Sequence, residues 1–264
     1  MPRAKRRLGQ HFLTDRRILS RIADALDPRP GDTVLEIGPG PGALTEVLAP
    51  RAGRLVAIEK DADLVPALRA RVPAASIVRA DALEADWHAL AGPDFLVAGN
   101  IPYNITSPLI DKALAPPRPR RIVFLVQKEV ADRVGAAPGT GAYGALSVGV
   151  QAVARAERLF TVPAGAFHPR PKVDSAVLRL APWREPIVSD EEVEPFRRLV
   201  VGLFGFRRKQ LGRGLRELTG WTPDRAEAAL GRAGIAPTDR PETVGPEAFA
   251  ALLRALVDGG WAAR

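Results

Sequence analysis

Thr33-Val34-Leu35-Glu36-Ile37-Gly38-Pro39-Gly40-Pro41-Gly42 decides the architecture of this chain. An apolar run broken by one carboxylate leads into three glycines, and a helical pattern follows at residues 43–48. A strand that ends on glycines and passes at once into a helix is the opening half of a strand–helix–strand unit in a parallel sheet. The glycines let the backbone turn sharply and come close to a ligand. Gly38, Gly40 and Ala43 also satisfy the Gly-x-Gly-x-x-Gly/Ala spacing of dinucleotide-binding turns, which alone is a weak sign.

Outward from this stretch, short Val/Ile/Leu-rich runs at residues 54–59, 76–80, 95–100 and 121–127 read as further buried parallel strands. Helical patterns lie between them, as at residues 43–48 and 61–71. The spacing is about 20 residues, one strand–helix unit, so the expected class is α/β with a doubly wound, mostly parallel sheet. Residues 152–160 and 175–180 are expected to form an antiparallel edge pair. Residues 181–186 carry two prolines and read as a linker; after them strand signals stop and residues 191–204, 208–218, 223–233 and 246–257 read as helices. The expected domains are a sheet domain over residues 1–182 and a small all-helical domain over 187–264. The glycine-rich residues 135–144 read as a flexible loop.

Composition narrows the function. Of 264 residues, 46 % are hydrophobic and 26 % charged, an ordinary folded composition. The longest apolar run, residues 122–126, is far short of the roughly 20 residues of a membrane span. The basic start has no apolar run behind it and does not read as a secretory signal, so a cytoplasmic protein is expected. No cysteine is present, and His11, His88 and His168 form no ligand pair, so no metal site is expected. Net charge is +8, but it is unevenly spread: residues 1–17 carry +5, residues 197–216 carry +7, and the remainder is slightly acidic. Two basic clusters on an acidic body point to a polyanion, nucleic acid first. Between Arg197 and Arg216 there is no acid, and helical spacing puts Lys209, Arg213 and Arg216 on one face. With Arg207 and Arg208 they form a candidate phosphate-tracking ridge.

Three strand ends carry the groups of an adenosine site. Glu59 closes the second strand, 23 residues after Glu36, where a carboxylate can accept both hydroxyls of a ribose. Asp81 follows the third strand and suits an adenine amino group, or else caps a helix over residues 82–90. Such a site serves a nicotinamide cofactor and S-adenosylmethionine equally. The fourth strand separates them, because it ends Asn100-Ile101-Pro102-Tyr103. An exocyclic amine of adenine or cytosine is conjugated with its ring and is a poor nucleophile. Two acceptors, the Asn100 side-chain oxygen and the Ile101 carbonyl, can aim its lone pair while Pro102 stiffens the turn and Tyr103 offers a stacking face. That combination indicates methylation of a base amino group.

On these residues the sequence resembles the KsgA/RsmA-type ribosomal RNA small-subunit adenine N6,N6-dimethyltransferases. The likeness rests on Gly9-Gln10-His11-Phe12-Leu13, the segments already quoted, Gln127-Lys128-Glu129-Val130, and Phe167-His168-Pro169-Arg170-Pro171-Lys172-Val173-Asp174-Ser175. Phe204-Gly205-Phe206-Arg207-Arg208-Lys209 extends it into the helical part. The resemblance implies a Rossmann-like class I S-adenosylmethionine methyltransferase domain plus a helical RNA-docking domain. The implied reaction places two methyl groups on each of two adjacent adenosines near the 3′ end of 16S rRNA during small-subunit biogenesis. S-adenosylhomocysteine is the implied product, no metal is implied, and the implied partner is rRNA in a pre-ribosomal small subunit; the sequence leaves the oligomeric state open, with a monomer favoured. His11, Leu13, Gly38, Gly40, Glu59, Asp81 and Asn100 would hold the cofactor; Tyr103 and Phe167 would hold the two faces of the target base. The family usually has asparagine where this chain has His11; a neutral imidazole also offers one donor and one acceptor. The competing readings are a large-subunit rRNA dimethyltransferase, a DNA adenine methyltransferase, an NAD dehydrogenase and a non-enzymatic ribosome-assembly factor.

Overall fold

The structure, a computed structural model, describes Lys5 and residues 8–262. The chain forms β1 (Phe12–Leu13), α1 (Arg16–Leu26), β2 (Thr33–Ile37), α2 (Ala43–Leu48), β3 (Arg54–Glu59), α3 (Val65–Arg71) and β4 (Ala75–Arg79). It continues with α4 (Trp87–Ala91), β5 (Phe95–Asn100), α5 (Thr106–Leu114), β6 (Arg121–Gln127), α6 (Lys128–Val134), α7 (Ala145–Gln151) and β7 (Ala154–Val162). Last come β8 (Phe167–His168), β9 (Ser175–Pro182), α8 (Val193–Gly205), α9 (Leu211–Thr219), α10 (Pro223–Arg232) and α11 (Pro246–Asp258).

Seven strands make the central sheet in the order β4-β3-β2-β5-β6-β9-β7. The pairs β4–β3, β3–β2, β2–β5 and β5–β6 are parallel, and β9 runs antiparallel to β6. Glu36 of β2 sits between Ala57 of β3 and Ala98 of β5. β2 is central and the strand order reverses between it and β5. The carboxyl ends there open a crevice, the usual ligand position of such sheets. The strand runs were legible because both faces are covered: all five residues from Ile122 to Val126 are at most 1 % exposed.

Local differences from expectation have local causes. Helix α3 starts at Val65 rather than residue 61, with Pro66 in its first turn fixing the start. Asp81 caps no helix over residues 82–90. It closes a turn instead, and the short α4 is capped by Asp86, whose side chain accepts from the His88 and Ala89 N–H groups.

Contacts divide the chain into two units, one joining the chain up to Ala131 with Ala156–Pro182, the other joining Asp132–Arg155 with the chain from Trp183 onward. The glycine-rich stretch therefore groups with the C-terminal helices. Tyr143, fully buried, donates its hydroxyl to the Val244 carbonyl at 2.9 Å and meets Phe204 edge-on, and the Gly139 N–H reaches the Glu242 carbonyl at 2.7 Å. Within this second unit α8 packs on α7, α9 and α11. Phe249, Leu252, Leu253 and Leu256 supply the apolar face of α11 at helical spacing.

Candidate active site

Gly38 and Gly40 follow β2 with φ of 66° and 56°, left-handed values that disfavour any side chain. The Gly40 N–H points sideways and donates to Glu59 Oε2 at 3.0 Å. A Cβ on Gly40 would stand 3.1 Å from the Phe12 ring, a tight contact that the ring would have to relieve by shifting. Glu59, at the end of β3, is 5 % exposed, and its Oε1 accepts the Asp61 N–H at 2.7 Å. Burial pushes its carboxyl up, against the pull of the N–H groups from Asp61 and Gly40. Each oxygen has one backbone partner and a further lone pair, enough to accept a diol. Glu36 sits deeper on β2, with one oxygen unpartnered among the described residues and its pKa pushed by burial up to about 8.

Asp61 ties a strap of N-terminal chain to this wall. It is 4 % exposed and accepts Lys5 Nζ at 2.5 Å and Gln10 Nε2 at 3.1 Å. Burial alone would raise its pKa, but those two hydrogen bonds hold it below the usual carboxylate range. On the neighbouring strand Asp81 meets Lys60 Nζ at 2.5 Å and accepts the Leu83 N–H at 3.0 Å, and these partners, Lys60 first, keep it ionised.

At the end of β5 the Asn100 Nδ2 donates to the His11 carbonyl at 2.7 Å. An amide has one donor end and one acceptor end. With the donor end held by His11, Oδ1 is presented as an acceptor. The Ile101 N–H is held by the Leu125 carbonyl at 3.0 Å, and the following turn closes on the Pro102 carbonyl, not on that of Ile101. Tyr103 is held twice: its hydroxyl bonds Ser175 Oγ at 2.8 Å, and its ring stacks on His11 with centroids 5.6 Å apart at 26°. His11 Nδ1 lies 2.7 Å from the Pro169 carbonyl, an acceptor only, so that nitrogen carries the proton.

One cavity is lined by His11, Gly38, Gly40, Glu59, Asp81, Asn100, Ile101, Pro102 and Tyr103 together. Two expected members are not on it. Leu13 and Phe167 face each other across the β1–β8 pairing and are 4 % and 5 % exposed inside the hydrophobic core with Leu19 and Ile22. Alternation along a strand sends neighbours to opposite faces, so it is Phe12 that reaches the cavity. The Phe167 ring, expected to hold one face of the base, and the side chain of Leu13, expected to hold the cofactor, both turn into the core instead of lining this cavity. Gln10, Phe12 and Lys60 also line the cavity and went unassigned in the sequence; alternation against Leu13 was the available sign for Phe12.

The basic ridge is corrected too. Gln210 is the N-cap of α9, so Lys209 precedes the helix and shares no helical face with Arg213 and Arg216. Glu217, one residue beyond the acid-free stretch, takes Lys209 at 2.5 Å and Arg213 at 3.2 Å. Arg207 lies 3.8 Å from Glu242. Arg208 and Arg216 are exposed and have no ion-pair partner among the described residues.

The family described as "Ribosomal RNA adenine dimethylase" matches residues 1–256. "Ribosomal RNA small subunit methyltransferase A" of Geobacter metallireducens is 46 % identical over 97 % of this chain and 96 % of that protein. The protein of the same name from Acidithiobacillus ferrooxidans is 43 % identical over 98 % of this chain and 97 % of its own length. Among solved structures, a dimethyladenosine transferase from Plasmodium falciparum aligns with a TM-score of 0.82 at 25 % identity, covering 95 % of this chain and 98 % of that one. The 23S rRNA methyltransferase ErmE aligns at 0.70 and 33 % identity, over 93 % of this chain and 99 % of its own.

Proposed function

We propose, for a chain that belongs to the ribosomal RNA adenine dimethylase family, transfer of methyl groups from S-adenosylmethionine to N6 of two adjacent adenosines near the 3′ end of small-subunit rRNA. The observation that carries this reading is the orientation of Asn100. Its Nδ2 is held on the His11 carbonyl, so its Oδ1 is an acceptor at the edge of a cavity whose other wall offers Glu59 and Asp81.

The donor set fits the cofactor. Glu59 has lone pairs for a ribose diol, Asp81 accepts an adenine amino group, and the glycine turn permits close approach of a chain too bulky for any Cβ there. When bound, the cofactor supplies a methyl carbon made electrophilic by a sulfonium. The protein's part is alignment. Asn100 Oδ1 and the Ile101 carbonyl accept the two N6 hydrogens and turn the nitrogen lone pair toward the methyl. Tyr103 keeps its ring in place through Ser175 and His11 and packs against the extruded base. Each transfer would form an N6–carbon bond, break the methyl–sulfonium bond and release one N6 proton to water; after the first, one N6 hydrogen remains, so the nucleotide must rotate or rebind before the second. The proposed product is S-adenosylhomocysteine, the proposed setting a pre-ribosomal small subunit in the cytoplasm, and the favoured oligomeric state a monomer. Arg208 and Arg216 remain the docking candidates of the helical unit. Among the described residues no helix is long and apolar enough to cross a membrane.

Undermethylated small subunits incubated with labelled S-adenosylmethionine, followed by mapping of the modified bases, test the reaction. The expected result is N6,N6-dimethyladenosine at two adjacent positions near the 3′ end. Label on large-subunit rRNA instead would move the chain to the other branch of these enzymes, and no base label on either subunit would overturn the reading.

A further inference from the structure

The loop between β8 and β9 touches the site at both ends. At its start the Pro169 carbonyl receives His11 Nδ1, the ring stacked on Tyr103. At its end Ser175 Oγ bonds the Tyr103 hydroxyl. Its frame is further fixed by the Lys128 N–H on the Asp174 carbonyl at 3.0 Å and by the Ala164 N–H on Asp174 Oδ1 at 2.9 Å. Pro169 and Pro171 restrict the backbone between these anchors. The loop is therefore a rigid rim beside the Tyr103 ring, and its ordering cost is met before any ligand arrives.

The rim carries two cations, Arg170 and Lys172, both exposed. Among the described residues neither has a hydrogen-bond or ion-pair partner. Elsewhere in the same unit Lys5, Lys60, Arg71, Arg120 and Arg179 each meet a carboxylate. The acid nearest in sequence, Asp174, has its Oδ1 on a backbone N–H. Val173, between the acid and Lys172, is 47 % exposed and offers an apolar surface beside the two charges. Two unpaired cations and an exposed aliphatic side chain on a pinned loop match the chemistry of a ribose–phosphate backbone: negative oxygens in succession with sugar carbons between them.

We infer that the rim of residues 169–174 binds the phosphodiesters flanking the target adenosines, with Arg170 and Lys172 as the binding groups. The inference rests on the proposed function, because it takes the nucleotide seated against Tyr103 as the one whose flanks reach the rim. A base cannot leave its stack without moving its own phosphates. Fixing those phosphates next to Tyr103 holds the nucleotide in its extruded position. The rim thus makes the sheet unit a reader of RNA backbone in its own right, separate from the basic segment of the helical unit.

The test uses the full chain with Arg170→Gln, Lys172→Gln and the double variant, undermethylated small subunits as substrate, and Arg170→Lys as the charge-keeping control. The double variant is expected to raise KM for the subunit roughly tenfold and to reduce the salt dependence of subunit binding by about two units of slope, one per phosphate contact. Arg170→Lys should keep most of the slope. S-adenosylmethionine affinity and melting temperature should match the unmodified protein. An unchanged KM and slope in the double variant overturns the rim assignment, as does a loss confined to melting temperature or cofactor affinity. Failure of the unmodified protein to methylate small subunits is a different result, since it overturns the proposed function itself.

Discussion

Two basic regions of this molecule differ in a way that sequence density conceals. Residues 207–216 hold five cations, and three of them, Arg207, Lys209 and Arg213, meet Glu242 or Glu217. The loop after β8 holds only Arg170 and Lys172, and neither has a partner among the described residues. A cation already facing a carboxylate must exchange one anion for another when a phosphate arrives, so its net gain is smaller than its charge suggests. An unpaired cation exchanges only water and counterions. By availability the two regions are level, with Arg208 and Arg216 unpaired in one and Arg170 and Lys172 in the other among the described residues, although their counts of cations are five and two.

The effects of substitutions separate by place. The largest loss is expected at Asn100, where Asn100→Ala removes the acceptor aimed at the amine. Turnover at saturating substrate should fall by about two orders of magnitude or more, the scale of losing one oriented group at a reacting centre. Asn100→Asp keeps an acceptor but can no longer donate to the His11 carbonyl, so it too should lose turnover. Single-turnover rates decide; a normal rate with only a raised KM would remove Asn100 from the chemistry.

Next in size is Glu59→Ala. Loss of hydrogen bonds to a charged group costs roughly 1.5–3 kcal/mol, or about 10- to 100-fold in cofactor affinity. Calorimetry with S-adenosylmethionine measures it, with subunit binding as the control that should not move. Because Glu59 also holds the Gly40 and Asp61 N–H groups, a melting scan belongs beside the titration. Equal cofactor affinity in a folded variant would place the ribose elsewhere.

The third prediction tests availability within the basic segment of the helical unit. Arg208→Gln with Arg216→Gln should lower the salt slope of small-subunit binding by up to two units and leave the melting temperature unchanged. Arg207→Gln with Lys209→Gln should change the slope less and lower the melting temperature slightly, because Glu242 loses Arg207 and Glu217 keeps only Arg213. Equal slopes from the two pairs would break the argument from availability.

What was legible in the sequence is what depends on near neighbours. The strands announced themselves as short Val/Ile/Leu runs, and the strand ends located Gly38, Glu59, Asp81 and Asn100 because a parallel sheet collects them at one edge. Contacts set by distant chain were not legible. Leu13 faces the core rather than the cavity because it pairs with Phe167, more than 150 residues away, and that pairing also takes Phe167 inward. The glycine-rich stretch joins the helical unit through the Tyr143 bond to Val244, invisible as a local pattern. The acid that pairs the ridge, Glu217, lies one position beyond the window in which acids were absent.

The smallest expected effect is at the Tyr103 hydroxyl. From the sequence the ring alone has a task, which makes Tyr103→Phe nearly silent. The structure gives the hydroxyl a partner, Ser175 Oγ at 2.8 Å, and through it ties the ring to the end of the loop that carries Arg170 and Lys172. Removing a neutral hydrogen bond of this kind costs about 1 kcal/mol, roughly a fivefold change, while the His11 stack still holds the ring. Ser175→Ala breaks the same bond from the other side, and a double variant should be no worse than either single one if the bond is the whole effect. Burial raises the phenol pKa above its ordinary value of 10.0, so the hydroxyl stays protonated through neutral pH and the donor is present throughout. The ratio of Tyr103→Phe to unmodified turnover should therefore be flat from pH 6 to 9. A ratio that changes across that range would mean that the hydroxyl titrates with the reaction and acts on a proton. Its tie to the rim would then be secondary.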